Sequence, residues 1–175
     1  MRYRRIPKPE EGEYASYTIM YIGLLPDDGR VLDHLEENLE KTAAFIHSFP
    51  AEKLIYRIAP GEWTIKEILG HIIDDERIYC YRALRFARND KNELPGFEQD
   101  EYVPFSRANE RDIEEIVSEF KAVRWATIAL FNSLDDEALI RSGIGSGNVM
   151  SVRAATYHIA GHELHHVNSI KENYL

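Results

Sequence analysis

Near the end of the chain stand His162-Glu163-Leu164-His165-His166, whose first and last imidazoles lie at i and i+4. Side chains at that separation meet on one helix face and can grip a single metal ion. The same run fits H-E-x-x-H, the pattern of zinc peptidases in which a helical Glu acts as general base beside two His ligands. A chance cluster of surface histidines on an acidic protein is the plain alternative. Function turns on which of these holds.

Orientation separates the histidines. Val152, Ile159 and Ile170 cluster on one side of the last helix and set its core direction. At about 100° per residue, His166 lies about 30° and His162 about 70° from that direction, while His158 and His165 lie beyond about 100°. His162 and His166 are therefore the pair nearest the core, and His158 and His165 fall behind it or toward solvent. A third ligand is needed. On an earlier helix, Ile65, Ile68, Ile72, Tyr79 and Ala83 mark a core face, with His71, Asp75 and Arg82 along its edge. His71 facing the pair from a second helix completes three nitrogen ligands, as bundles build metal sites. Asp75 fits as a fourth ligand, as a carboxylate orienting an imidazole from behind, or as an exposed partner of a neighbouring Arg.

The peptidase pattern lacks its surroundings. After His166 only Val167 to Leu175 remain, with no His and a single acid, Glu172, on the same helix. No upstream strand offers an edge for a peptide substrate. Glu163 points between Ile159 and Val167, so it reads first as a buried carboxylate bonded to a neighbouring element and only second as a base.

The elements that position these residues are legible from apolar spacing. Residues 1–29 form a Pro- and Tyr-bearing arm, and 30–175 carry the helices. Leu32, Leu35, Leu39, Phe45, Ile46 and Phe49 mark a helix from Arg30 to about Phe49, before Pro50. Thr64 and Glu67 form a capping box opening a second helix to Arg88. Residues 89–108 read as a long acidic loop. A third helix spans Arg111 to Ser133, Gly143–Asn148 is a loop, and Ser151 caps the last helix. Four amphipathic helices with no convincing strand predict an all-α four-helix bundle in one domain.

Composition narrows the classes. The formal charge of -9 opposes a nucleic-acid partner, whose backbone needs a basic footprint. Cys80 is the single cysteine, so no intrachain disulfide forms and a reducing, cytoplasmic setting is expected. The N-terminal MRYRRIPKPEEGEY has no apolar run of a secretory signal, and no stretch is apolar enough to span a membrane.

Gly61-Glu62-Trp63-Thr64-Ile65-Lys66-Glu67, Gly70-His71-Ile72-Ile73-Asp74, Leu94-Pro95-Gly96-Phe97-Glu98-Gln99-Asp100 and Gly161-His162-Glu163-Leu164-His165-His166 together closely resemble the DinB-like superfamily. The likeness runs over nearly the whole chain. It implies a four-helix bundle with a long crossover, often dimeric, and a divalent metal on one His of the second helix and two of the last. These map to His71, His162 and His166, the residues that spacing and orientation had picked out. Relatives with known activity include S-transferases that use bacillithiol or mycothiol and a mycothiol-dependent isomerase, while many others have none assigned.

The expectation is thus a metal-dependent enzyme, a thiol-dependent S-transferase or hydrolase acting on a small molecule. A noncatalytic metal- or ligand-binding stress-response module is the alternative. Zinc or nickel is the expected ion, with iron and manganese open, and a low-molecular-weight thiol is a candidate cofactor. Such an ion could hold a thiol as its nucleophilic thiolate. Asp75 and Arg82 are candidate catalytic residues. Arg82 would bind a carboxylate of the thiol or substrate, or else pair with Asp75. Loops 94–105 and 143–149 would wall the pocket, with Tyr102 a polar contact to the cofactor. Cys80, about 180° from His71 around the helix, reads as a small buried residue. The apolar arm Tyr14–Leu25 and the resemblance together predict a homodimer.

Overall fold

In a computed structural model that describes residues 3–175, the chain runs through α1 (Ile19–Ile22), α2 (Val31–His47), α3 (Ala51–Leu54), α4 (Ile65–Ala87), α5 (Gln99–Ser106), α6 (Ile113–Ser133), α7 (Asp136–Ile140), β1 (Ser142–Gly145), β2 (Asn148–Ser151) and α8 (Val152–Asn173). The long helices α2, α4, α6 and α8 form a four-helix bundle. Each packs against two others, α4 against α8 and α6, and α2 against α6 and α8. Consecutive long helices α2 and α4 thus face each other across a diagonal, as do α6 and α8. The connections 48–64 and 134–151 both cross an end of the bundle.

The helix starts follow local chemistry. Thr64 accepts a hydrogen bond from Glu67 N while Glu67 Oε2 accepts from Thr64 N, the reciprocal box expected at the start of α4. Ser151 accepts from Ala154 N and caps α8, and Asp112 caps α6. These caps set the registers on which the site depends.

Two expectations need correction. The segment read as a strand-free loop is a hairpin, β1 paired antiparallel with β2 from Ser142↔Ser151 to Gly145↔Asn148. Its turn residues Ser146 and Gly147 have φ of 53° and 72°. Positive φ at both central residues is the turn whose twist suits a two-residue hairpin. Strands this short and glycine-bearing give little alternation to read. Leu94 extends the pairing, donating to Ile144 O and accepting from Ser146 N, so the hairpin also holds the 94–97 segment. Likewise residues 99–106 of the expected acidic loop are the helix α5, despite Pro104 inside it. Asp100 and Glu101 in its first turn complement the helix dipole.

The core is divided. One apolar cluster contains Leu32, Leu35, Tyr79, Phe86, Ile128, Phe131 and Ile159; another contains Leu39, Ile46, Ile65, Ile72, Ile116, Phe120 and Ile170. Between them lies a polar layer in which Arg124, fully buried, donates to both carboxylate oxygens of Glu76, to Glu163 and to Leu35 O. Thr42 donates to the other oxygen of Glu163. One cluster of side chains therefore ties all four long helices. Burial works against the Arg124 charge, but Glu163 and Glu76 outweigh it and hold the guanidinium firmly protonated.

The arm is part of this packing. Ile6, Ile22 and Leu25 are buried, and α1 lies along α8. Glu13 anchors it through Ser151 Oγ and Arg153. Its apolar content is thus partly explained within one chain, although Tyr17, Ile19, Met20 and Leu24 stay exposed. Met1 and Arg2 of the expected arm lie outside the described residues.

Candidate metal centre

The bundle brings His71 of α4 against His162 and His166 of α8. The Nε2 atoms of His71 and of His166 each lie 3.0 Å from His162 Nε2. The three candidate ligand nitrogens are all within 4.8 Å of one another. His71 and His162 are buried and His166 is partly so. Burial lowers the pKa of each: His71 falls below the usual histidine range, His162 well below it, and His166 to about 3. Three neutral imidazoles therefore aim their nitrogens at one point. This donor set fits a divalent cation, whose ligand imidazoles must be unprotonated.

Asp75 stands directly behind this group. It is 4% exposed, so the picture of a solvated carboxylate paired with an Arg does not hold. Its Oδ2 accepts from His158 Nε2 at 3.1 Å and faces His162 Nδ1 at 3.4 Å. Burial opposes the Asp75 charge, but His162, His158 and His71 more than offset this and keep the carboxyl well below the usual range. An ionised carboxylate only accepts, so Nε2 of His158 must carry a proton. A carboxylate at the Nδ1 side of His162 leaves Nε2 as its free lone pair. His158, expected behind the pair or toward solvent, is buried behind it and stacks 3.6 Å from the Tyr79 ring. His165 is half-buried, its ring 5.2 Å from that of His166.

Two residues that sequence reasoning did not place at the centre shield it. The Trp63 ring lies 4.9 Å from His71, and Tyr21 of α1 meets His158, His162 and His165 edge-on at 5.0–5.3 Å. The signal for Tyr21 was Gly161. A Cβ there would stand 2.2 Å from Tyr21 O, so only glycine lets the arm seat on α8 at this height.

A cavity of about 340 Å³ opens onto the centre, lined by His71, Asp75, His162, His166, Tyr79 and Arg82 among others. Phe97, Gln99 and Ser146 also line it, from the two segments expected to wall the pocket. A wider groove of about 1020 Å³ shares Trp63 and His166 with it. Arg82 is buried and donates to Pro95 O at 3.1 Å. No ion pair joins it to Asp75 among the described residues. Tyr102 is placed elsewhere, exposed on α5 in a groove with Asp74, Phe105 and Ser106, its ring 5.5 Å from Phe97. Glu163 points into the Arg124 cluster and cannot serve as a peptidase base. Cys80 contacts Thr127 Oγ1 at 3.2 Å, and burial pushes its thiol up to about 12.

Comparisons with known proteins agree with this architecture. The family model of the DinB superfamily matches residues 34–170. An Oceanobacillus iheyensis protein named "Putative metal-dependent hydrolase OB0413" is 25% identical over 142 residues, 80% of this chain and 81% of that protein. YfiT from Bacillus subtilis, described as a probable metal-dependent hydrolase with an unusual four-helix bundle topology, aligns with a TM-score of 0.69 at 18% identity. That alignment covers 94% of this chain and 90% of YfiT, and at such identity the likeness is one of fold.

Proposed function

This chain belongs to the DinB superfamily, and on that premise we propose that it is a metal-dependent hydrolase of a small molecule, with His71, His162 and His166 as ligands of one divalent ion. The observation that carries the reading is the meeting of three neutral imidazole nitrogens at the wall of a cavity. The descriptions of the two relatives as metal-dependent hydrolases support it. An ion on three neutral ligands keeps its full charge and an open position, and would supply Lewis acidity and activated water. Zinc or nickel suits the nitrogen set, with iron and manganese as further candidates.

The chain's own residues do the rest. Asp75 is a positioning residue that fixes the His162 ring and is itself held by His158. Trp63 and Tyr21 cover the imidazoles and limit water around them, which strengthens electrostatic interactions at the site. The cavity admits a small molecule, and its neighbouring groove offers space for a leaving portion.

Thiol-dependent S-transfer is the second reading, favoured by one observation. Cys80 is half-buried, held as a thiol and outside the metal-facing cavity, so a nucleophilic thiol would have to enter as a co-substrate. A homodimer, with exposed Tyr17, Ile19, Met20 and Leu24 at its interface, belongs to the same proposal; light scattering that gives a monomer's mass would remove it.

The test is a panel of small esters and amides, with and without bacillithiol, on metal-loaded and chelator-treated protein. Hydrolysis that needs metal but no thiol, and vanishes in His162→Ala, is the expected result. A metal-dependent rate seen only with thiol would replace hydrolase by S-transferase. Silence in both arms would leave a binding module.

A further inference from the structure

We propose that Arg82 anchors a carboxylate, so that the molecule occupying the metal-facing cavity is a small carboxylic acid. This deepens the hydrolase reading and rests on it for the location of the reacting bond. Arg82 is 4% exposed, yet among the described residues its one hydrogen-bond acceptor is Pro95 O and no carboxylate lies within ion-pair distance. Arg124, the other deeply buried arginine, has two carboxylates and a carbonyl. A buried cation without a counter-charge is costly, and a single contact to a loop carbonyl uses one of five N–H donors. The remaining donors belong to a side chain that lines the same cavity as the three histidines.

The surroundings hold that side chain in place. Its guanidinium carbon lies 5.1 Å from the Tyr79 ring centre and 5.8 Å from that of Phe97. A Cβ on Gly145 would stand 3.2 Å from Arg82 Nε, so β1 closes on the guanidinium as tightly as glycine allows. Asp75, the acid in this cavity, is committed to His158 and His162 and leaves the Arg82 charge unanswered. A chain of net charge -9 repels anions at long range, so this buried cation acts as local selection.

The spacing adds a length. Residues 71 and 82 are eleven apart on α4, about 16 Å along its axis. Helical side chains lean toward the N-terminus, which carries the Arg82 head back toward His71. A carboxylate held there stands several bonds from a group reacting at the histidines, in a cavity that Phe97 lines beside a ligand's apolar or aromatic body.

Calorimetric titration tests this with hippurate and benzoate, their neutral counterparts hippuramide and benzamide, and inorganic phosphate. Wild type, Arg82→Gln and Arg82→Lys are compared, each metal-loaded and metal-stripped. Wild type should bind at least one acid about tenfold or more tighter than its amide, the scale of a hydrogen bond to a charged group. Arg82→Gln should abolish most of that ratio in both metal states, and Arg82→Lys should keep part of it, because charge remains while the planar fork is lost. Equal binding of acids and amides by wild type, or a ratio unchanged in Arg82→Gln, overturns the proposal. So does a preference for phosphate over every carboxylate. If both variants fail to fold, the wild-type ratio alone decides. Discrimination that persists in stripped protein stands even if no metal-dependent hydrolysis is found. Metal-dependent hydrolysis of carboxylate-bearing substrates at an undiminished rate by Arg82→Gln would sink this inference and leave the hydrolase.

Discussion

Two buried polar clusters meet on α8, one residue apart, and differ in what they leave unmet. At Glu163 every charge is answered: Arg124 has Glu76, Glu163 and Leu35 O, and Glu163 has Thr42 as well. At His162 the groups leave capacity open: three imidazole nitrogens converge, and the buried Nδ1 of His158 has no hydrogen-bond partner among the described residues. The first cluster is closed within the core; the second opens on a cavity. Burial of charge alone does not mark a functional site. Convergence of unmet polar groups beside open space does.

The largest expected effect lies in the closed cluster. Arg124→Ala should destabilise the fold by about 3–5 kcal/mol, because Glu76 and Glu163 become unpaired buried charges. Replacing all three residues together with apolar side chains of similar volume should cost far less. Urea unfolding measures both, and a loss under about 1 kcal/mol for Arg124→Ala would erase the structural role assigned here.

The open cluster should respond differently. His162→Ala should remove the protein's stabilisation by metal, about 2.7 kcal/mol at a hundredfold excess over Kd, measured as the difference between metal-loaded and metal-free forms of the same variant. A thermal shift with zinc or nickel that survives this substitution would place the ion elsewhere. Asp75→Asn should fold and weaken metal binding by about 10–100-fold, as expected for a group that orients a ligand. Competition with a chelator gives that number, and an unchanged affinity would make Asp75 merely structural.

Acid should separate the clusters again. His71, His162 and His166 are held below their ordinary range, so below about pH 6.5 the unfolded chain takes up protons that the folded one refuses. Stability of the metal-free protein should therefore fall as pH drops from 7 to 5, by up to about 1.4 kcal/mol per pH unit for each group. Burial pushes the Glu163 carboxyl up, which acts with the opposite sign. The triple His→Ala protein should show a flatter profile in urea unfolding; an equal slope would assign the acid sensitivity to other groups.

The clusters also differ in how far their residues could be read from the chain. His162 and His166 announced themselves by i, i+4 spacing and angle from the core, and His71 by its place at the edge of an apolar stripe. The four long helices followed from periodicity, and the caps at Thr64 and Ser151 from local chemistry. Arg124 and Glu76 were not visible, because a charged residue on an amphipathic helix is ordinarily solvated and its burial depends on three other helices. Glu163 gave the one hint, pointing between two apolar positions. The docking of Tyr21 likewise needed the tertiary fold, with Gly161 as its trace in sequence. The hairpin and α5 escaped notice because Gly and Pro there read as loop, although pairing with Leu94 and an acidic first turn sustain them.

The most direct test is metal content per folded chain, by native mass spectrometry with elemental analysis, for wild type and single Ala variants of the histidines at 71, 158, 162, 165 and 166. A three-histidine centre predicts about one divalent ion in wild type, sharp loss in His71→Ala, His162→Ala and His166→Ala, and most of the metal kept in His158→Ala and His165→Ala. Equal loss at His158 and His162 with His166 silent, or no ion in wild type after loading, would contradict it.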